Sequence, residues 1–335
     1  MTMTSVGDRS LQFNTMRATT QIKTQLSILT EEMGSGIAHD LTGHLRGDTA
    51  RLADVDRRLN LIKGFTSTAA EAGQTLAAMQ VTLQGVENTR SQLAAQLVAL
   101  PSSAMPNNIS NAIGSGRAAF DNIVRAMNTT LGNRSLFAGA ATDKIPLAEP
   151  DAMIASLSAA VAGSATAADV QTAIDTWFDS PTGGFATLAY QGDTGTALTR
   201  RIDTDTAVKL DGRADDPAIR ALLKAAATAA MAGDPGLTLT DTVKSDLLRS
   251  AGLQMLSVAQ PLVNVQARLG IAEQTVEETT VRQTAQNTAY GIMRNDLVSA
   301  DPYDTAAELQ QVQKQLETHY TLTARLSRLS LVEYI

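Results

Sequence analysis

Two stretches, one near each end of the chain, carry apolar residues that step alternately by three and four over lengths beyond an ordinary globular helix. Towards the C-terminus the ladder is Val258, Leu262, Val265, Leu269, Ala272, Val276, Thr279, Gln283, Gln286, Tyr290, Met293 and Leu297. Towards the N-terminus Val55, Leu59, Ile62, Thr66, Ala69, Gly73 and Leu76 run, through one shortened step, into Met79, Leu83, Val86, Arg90, Leu93, Leu97 and Leu100. A sustained 3.5-residue period means helix packed on helix. At about 1.5 Å rise per residue, ladders of this length reach about 60 Å each. The expectation is an elongated antiparallel helical rod. Arg90 interrupts an otherwise apolar seam, either as a registry device or, as is commoner, with its stem buried and its head in water.

The remaining sequence nests around these ladders. Residues 15–33 place Ile22, Leu26, Leu29 and Met33 at helical spacing and stop at Gly34, Ser35, Gly36. Pro302 forces a break after Asp301, and Asp304 or Thr305 can cap the helix that follows. Leu309, Val312 and Leu316 form its seam, which Leu322, Leu326 and Leu329 resume after a phase slip at His319 and Tyr320. Helices with one apolar stripe gain most of their stability by burying it, so both terminal helices need each other or further subunits.

Between the ladders the character changes at Pro146. Residues 151–178 read as one or two short helices, with a break and recap at 165–169. Pro181 to Gly184 is a turn, residues 185–190 alternate weakly as a strand, and 198–210 pair back as a hairpin arm. Helical patterning returns at 217–231, Gly233 to Gly236 breaks it, and the return ladder follows from Thr240. The fold class expected is mainly α with a small α+β insertion. Three domains are expected. Residues 1–40 with 300–335 form a terminal-helix assembly domain, 41–145 with 237–299 a helical shaft, and 146–236 an outward-facing insertion.

Chemistry is sparse. The chain has no cysteine, which excludes disulfides, thiolate metal sites and cysteine nucleophiles and suits passage between compartments of different redox poise. A net charge of -7 with both signs interspersed argues against a nucleic-acid partner. Residues 1–16 are polar, so no cleaved secretory signal is expected, and the longest apolar run, 225–232, is too short to span a bilayer. His39 and His44, near Asp40 and Asp48, are poorly spaced for a metal and read as solvated loop residues. Asp203, Asp205 and Asp211 faintly suggest a calcium loop, but its closing position falls on Ala214 rather than a glutamate. Gly34-Ser35-Gly36 and Gly114-Ser115-Gly116 lack the lysine of a phosphate loop and read as helix punctuation. Ser35 near His39 or His44 lacks the strand-turn-helix context of a nucleophile. No catalytic residue, cofactor or metal site is expected, and the chain is not expected to be an enzyme.

Several segments resemble the bacterial flagellin superfamily. Glu32-Met33-Gly34-Ser35-Gly36-Ile37, followed by Asp48, Ala50 and Leu52, is similar to the junction that ends its first helix. Residues 120–124 through Leu131-Gly132-Asn133-Arg134-Ser135-Leu136-Phe137-Ala138-Gly139 are similar to its second shaft helix and the strand after it, and 264–270 to its returning helix. Within the superfamily, Ala189-Tyr190-Gln191-Gly192-Asp193 and the ending Leu329-Ser330-Leu331-Val332-Glu333-Tyr334-Ile335 resemble the hook-filament junction proteins of the hook-associated protein 3 type. The opening Thr4-Ser5-Val6-Gly7-Asp8 departs from their usual start.

The resemblance implies a structural role in the bacterial flagellum. A homo-oligomeric layer would join the hook, through a neighbouring hook-associated protein, to the flagellin filament. Export would follow the flagellar type III route to an extracellular location, with a chaperone holding the C-terminal helix before secretion. The assembly residues expected are Ile22, Leu26, Leu29, Met33, Leu309, Val312, Leu316, Leu322, Leu326 and Leu329, with no membrane and no nucleic-acid contact. Two alternatives stay open, a filament flagellin and, more distantly, a coiled-coil binding module outside the flagellum.

Overall fold

The computed structural model describes residues 6–101, 103–195 and 197–332, and the side chains of 10, 12–101, 103–195 and 197–325. The described chain is mainly α. It divides into two compact units, residues 1–62 with 285–335 and residues 63–284. Ten α-helices, two small hairpins and one π-turn make up the described elements.

Two long helices contribute to both units. Helix α3 is Ala50–Val98, and helix α9 is Ala259–Val298. In the larger unit their seam is tied at Thr66 to Gln283 (3.2 Å) and at Gln80 to the carbonyl of Gln266 (2.9 Å), and Gly73 faces Val276. Numbers rise along α3 as they fall along α9, so the two run antiparallel in one register. The ladder residues Ala69, Leu76, Met79, Leu83, Val86, Leu93 and Leu97 on one side and Leu262, Val265, Leu269, Ala272 and Val276 on the other are buried, as the periodicity predicts. Gln283, also buried, is satisfied by donating to the carbonyl of Ile202 at 2.5 Å while its carbonyl accepts from Thr66. Past that point, in the smaller unit, the burial on α9 thins. Gln286 and Met293 are exposed, and polar ties replace the ladder, with Arg294 to Asp56 at 2.8 Å and Arg58 to Tyr290 at 3.3 Å.

The return ladder begins as two helices rather than one. Helix α8, Asp241–Ser257, ends at Val258, and α9 starts one residue later. Pro261 explains the break, since it has no N–H for the carbonyl four residues back, Ser257, and its ring crowds that carbonyl. At this break the Arg90 head is buried, its side chain 8% exposed, which corrects the expectation that it reaches water. Its Nε and Nη2 donate to both oxygens of Glu87, at 2.7 and 2.6 Å, and its Nη1 donates to the carbonyl of Met255 at 2.9 Å.

The rest of the larger unit is a helical cluster around Phe120, Phe137, Phe178, Met153 and Leu157, all fully buried. Helix α4, Pro106–Met127, packs along α7, Pro217–Met231. Gly114 and Gly116 lie inside α4, so the second Gly-Ser-Gly is not helix punctuation. Gly116 is a contact point instead. A Cβ there would lie 2.6 Å from the Cβ of Ala229 and 3.0 Å from its carbonyl carbon, whereas one on Gly114 would meet nothing. The two glycines therefore predict opposite signs. Gly116→Ala is expected to force α7 away from α4 and destabilise the protein by about 1–3 kcal/mol, and Gly114→Ala to stabilise it by about 0.5–1 kcal/mol through helix propensity. Denaturant midpoints of the two variants check this, and equal shifts of one sign would defeat it.

Between α4 and α7 lie the hairpin β1 (Thr130–Leu131) and β2 (Arg134–Ser135), and helices α5 (Pro150–Val161) and α6 (Ala167–Asp179). The recap expected at 165–169 is a capping box of Thr166 and Asp169. A second hairpin pairs β3 (Leu198–Arg201) with β4 (Ala207–Leu210) in the register Leu198 opposite Leu210. Residues 185–190 are not its third strand. Phe185–Ala189 is a π-helical turn closed by the Tyr190 N–H on the Phe185 carbonyl at 2.9 Å. Apolar contact decides this. The turn puts the Phe185 ring against Trp177, Phe178 and Tyr190, and Gly184 abuts the Trp177 indole so closely that no side chain fits there.

The smaller unit contains α1 (Val6–Ser35), the short α2 (Leu41–His44), the ends of α3 and α9, and α10 (Pro302–Val332). Gly36 adopts φ 70° and ends α1 as the sequence predicts. The cap of α10 is Asp301, not Asp304 or Thr305. Its Oδ1 accepts from the N–H groups of Tyr303 (2.8 Å) and Asp304 (3.4 Å), leaving Pro302 in the first helical position where its missing N–H costs nothing. His39 and His44 are exposed loop and helix-end residues.

Candidate functional site

The two terminal helices meet each other in the smaller unit. Helices α1 and α10 pack side by side, which answers the open question of what covers their stripes within one chain. Leu29 and Val312 are buried at 5% and 4% exposure, and Ile22, Leu26, Leu309 and Leu316 are half-buried. Met33 and Leu322 are largely exposed, at 48% and 53%. The side chains of Leu326 and Leu329 and the ending at 333–335 lie outside the described residues.

Where the sequence suggests a slip, α10 keeps one polar side chain on the seam. His319 follows Leu316 by three and remains half-buried, with its Nδ1 3.5 Å from the Thr19 hydroxyl of α1. Thr305, buried at the other end of the seam, donates to the carbonyl of Asp301 at 2.9 Å. Lys23 lies 5.9 Å over the Tyr320 ring, a cation–π contact between the helices. Thr19, Lys23, Thr305 and His319 thus belong to a face that an apolar-only reading omits.

The base of the helix pair is held by main chain. The N–H of Ala38 donates to the Val298 carbonyl at 2.9 Å and that of Ala300 to the Gly36 carbonyl at 3.0 Å, an antiparallel bridge centred on Ile37 and Ser299. Glu32 completes it, accepting from the His39 N–H at 2.5 Å. Around the pair, Phe13, Met16, Tyr303 and Tyr320 are exposed on α1 and α10. Ile22, Gln315, Thr318, His319 and Leu322 line a shallow groove along the pair.

In the larger unit the motif residues converge on one polar knot. The Asp193 N–H donates to the Ala138 carbonyl at 2.9 Å, the Tyr190 hydroxyl to the Asp193 carbonyl at 2.8 Å, and the Ala214 N–H to the Phe137 carbonyl at 2.9 Å. Arg213 Nε lies 2.9 Å from Asp215 Oδ1 as an ion pair that lacks hydrogen-bond alignment. Burial pushes the Asp215 carboxyl up, against the opposing pull of Arg213, and burial pushes the Tyr190 hydroxyl up as well. This knot joins segments distant in sequence and serves the fold. Of the three acids at 203, 205 and 211, two are held by arginines, Asp203 by Arg282 at 2.8 Å and Asp211 by Arg268 at 3.3 Å. Among the described residues no group of three or more His, Asp or Glu is placed to hold a metal, and no helix is long and apolar enough to cross a membrane.

Comparison with known proteins agrees with this arrangement. Residues 257–335, which span α9 and α10, match the family described as the bacterial flagellin C-terminal helical region. A solved structure from Vibrio parahaemolyticus, provisionally named a flagellar hook-associated protein, is similar in fold with a TM-score of 0.51 at 11% identity. That likeness covers 74% of this chain and 96% of the other. No curated protein matches the chain. Residues 257–335 thus resemble the flagellin C-terminal helical region, and the chain shares the fold of that solved structure over 74% of its length.

Proposed function

We propose that this protein is a hook-associated subunit that joins the flagellar hook to the filament, assembling through α1 and α10. The observation that carries the reading is the half-covered helix pair. Its inner seam is closed within the chain at Leu29 and Val312, while Phe13, Met16, Met33, Tyr303, Tyr320 and Leu322 remain exposed on the same two helices. Exposed large side chains beside a half-covered seam suit an interaction surface. Burying each is worth about 1.5–3 kcal/mol, and repetition around a layer multiplies it. The expected neighbours are further copies of this chain, a hook-associated protein towards the hook and flagellin towards the filament. Before export, a chaperone would cover α10, and the chain would leave unfolded.

The family match to a flagellin region keeps one second reading, the filament subunit itself. Immunogold labelling of detached flagella separates the two. Label confined to a short band between hook and filament is the expected result. Label along the whole filament would replace the junction reading with the flagellin one, and label elsewhere on the cell would end both.

A further inference from the structure

One cavity of the larger unit has no place in assembly through the terminal helices. It has a volume of about 190 Å³, and three elements bring residues to it, each by its own period. Helix α3 contributes Thr68, Glu71, Ala72 and Thr75, one helical face. Strand β3 contributes Leu198 and Arg200, two residues apart and so on one side of the hairpin, with Leu210 from β4 opposite Leu198. The first hairpin contributes the facing pair Leu131 and Arg134. The tight turn of Gly132 (φ 55°) and Asn133 (φ 64°) joins that pair.

Three charged side chains, Glu71, Arg134 and Arg200, line the cavity. In the same unit Arg117, Arg213, Arg220, Arg268 and Arg282 each pair with an aspartate. Arg134 and Arg200 share the cavity, and among the described residues neither has a carboxylate within ion-pair distance. Glu71 lines the same space without pairing to either. Two unpaired guanidiniums that line one cavity with Leu136, Leu198 and Leu210 offer an anion two sets of donors. Two guanidiniums and one carboxylate leave a single net positive charge, which matches a monoanion better than a phosphate dianion. Planar guanidinium forks match the two oxygens of a carboxylate. The hydroxyls of Thr68, Thr75 and Thr142 and the carboxylate of Glu71 supply partners for a neighbouring hydroxyl or ammonium group.

We propose that this cavity binds a single carboxylate group, held by Arg134 and Arg200, on a ligand carrying an adjacent hydrogen-bond donor. The carboxylate can belong to a free small acid or to an acidic side chain of a polypeptide. The site is independent of the assembly role, since none of its residues lies on α1 or α10.

The test is a titration of the full-length ¹⁵N-labelled protein, followed through the backbone amides of Ser135, Gly139 and Thr142. The probes are lactate, an acetylated and amidated Gly-Glu-Gly peptide, and inorganic phosphate. Saturable shifts at these amides with lactate or with the peptide, at a Kd of about 1 mM or tighter, are expected. The tighter of the two identifies the source. Arg200→Gln and Arg134→Gln should each weaken binding about tenfold or more, and Arg200→Lys, which keeps the charge but not the fork, should fall between. Should either glutamine variant lose its folded spectrum, the wild-type shift map and the lysine variant decide. The proposal is overturned if neither carboxylate saturates, if shifts spread over the surface, if the variants bind like the wild type, or if phosphate binds as tightly as the carboxylates.

Discussion

Arg90→Ala is expected to destabilise the larger unit by about 3–5 kcal/mol, because it strands buried partners rather than merely deleting a contact. Glu87, its side chain 22% exposed, would lose both donors that now meet its oxygens, and the Met255 carbonyl would lose the N–H that covers it at the helix break. Trp177, the one tryptophan, lies in this unit and reports unfolding by its fluorescence. Replacing both partners by apolar residues, Arg90→Met with Glu87→Leu, should recover most of the loss, since a buried pair exchanged for well-packed apolar groups is close to neutral. A single variant within about 1 kcal/mol of the wild type would show that the guanidinium is solvated after all.

Val312→Asp should act on the smaller unit and spare the larger. The substitution places a carboxylate where Val312 packs under α1, 4% exposed, with no cation among its seam neighbours Leu309, Leu316 and Leu29. Loss of the apolar burial together with the desolvation of a charge is worth about 3 kcal/mol or more. That corresponds to amide exchange faster by about a hundredfold across 12–33 and 305–322, since each 1.4 kcal/mol is a factor of about ten. Trp177 unfolding should stay where it is in the wild type, and incorporation into detached flagella should be lost. Unchanged protection of α1 would mean that the helix stands without α10, against the marginal stability of single helices in water.

Much of the fold was legible because helix packing writes itself as a period. The run from Leu76 to Leu97 and the return from Leu262 to Val276 are buried position by position. Where the reading failed, a tertiary partner had outvoted a local rule. Gly114 and Gly116 signal a helix end by type, yet α4 continues through them because Ala229 of α7 needs the space above Gly116. Residues 185–190 alternate like a strand, but the aromatic contacts of Phe185 favour a π-turn. Arg90 looks solvent-seeking until Pro261 opens a helix break for it to fill, more than a hundred positions later in the chain. At the candidate interface the apolar members Leu29 and Val312 were evident. Thr19, Lys23 and His319 were not, since a polar residue at a seam position carries no signal until its partner on the other helix is known.

The bridge at Ile37 and Ser299 joins positions far apart in the chain, and this bears on the order in which the termini become structured. Formed first, it would close a very long loop at a large entropic cost. Formed after Asp56 has met Arg294 in the same unit, only a short closure is left. Loop-closure entropy therefore favours a bridge that forms after the other contacts of the smaller unit. The two hydrogen bonds of the bridge itself run between backbone groups, so they survive side-chain changes at Ile37 and Ser299. A terminus held in this manner can be withheld, as an unfolded tail, until the rest of the molecule is in place, and then settle as one paired element.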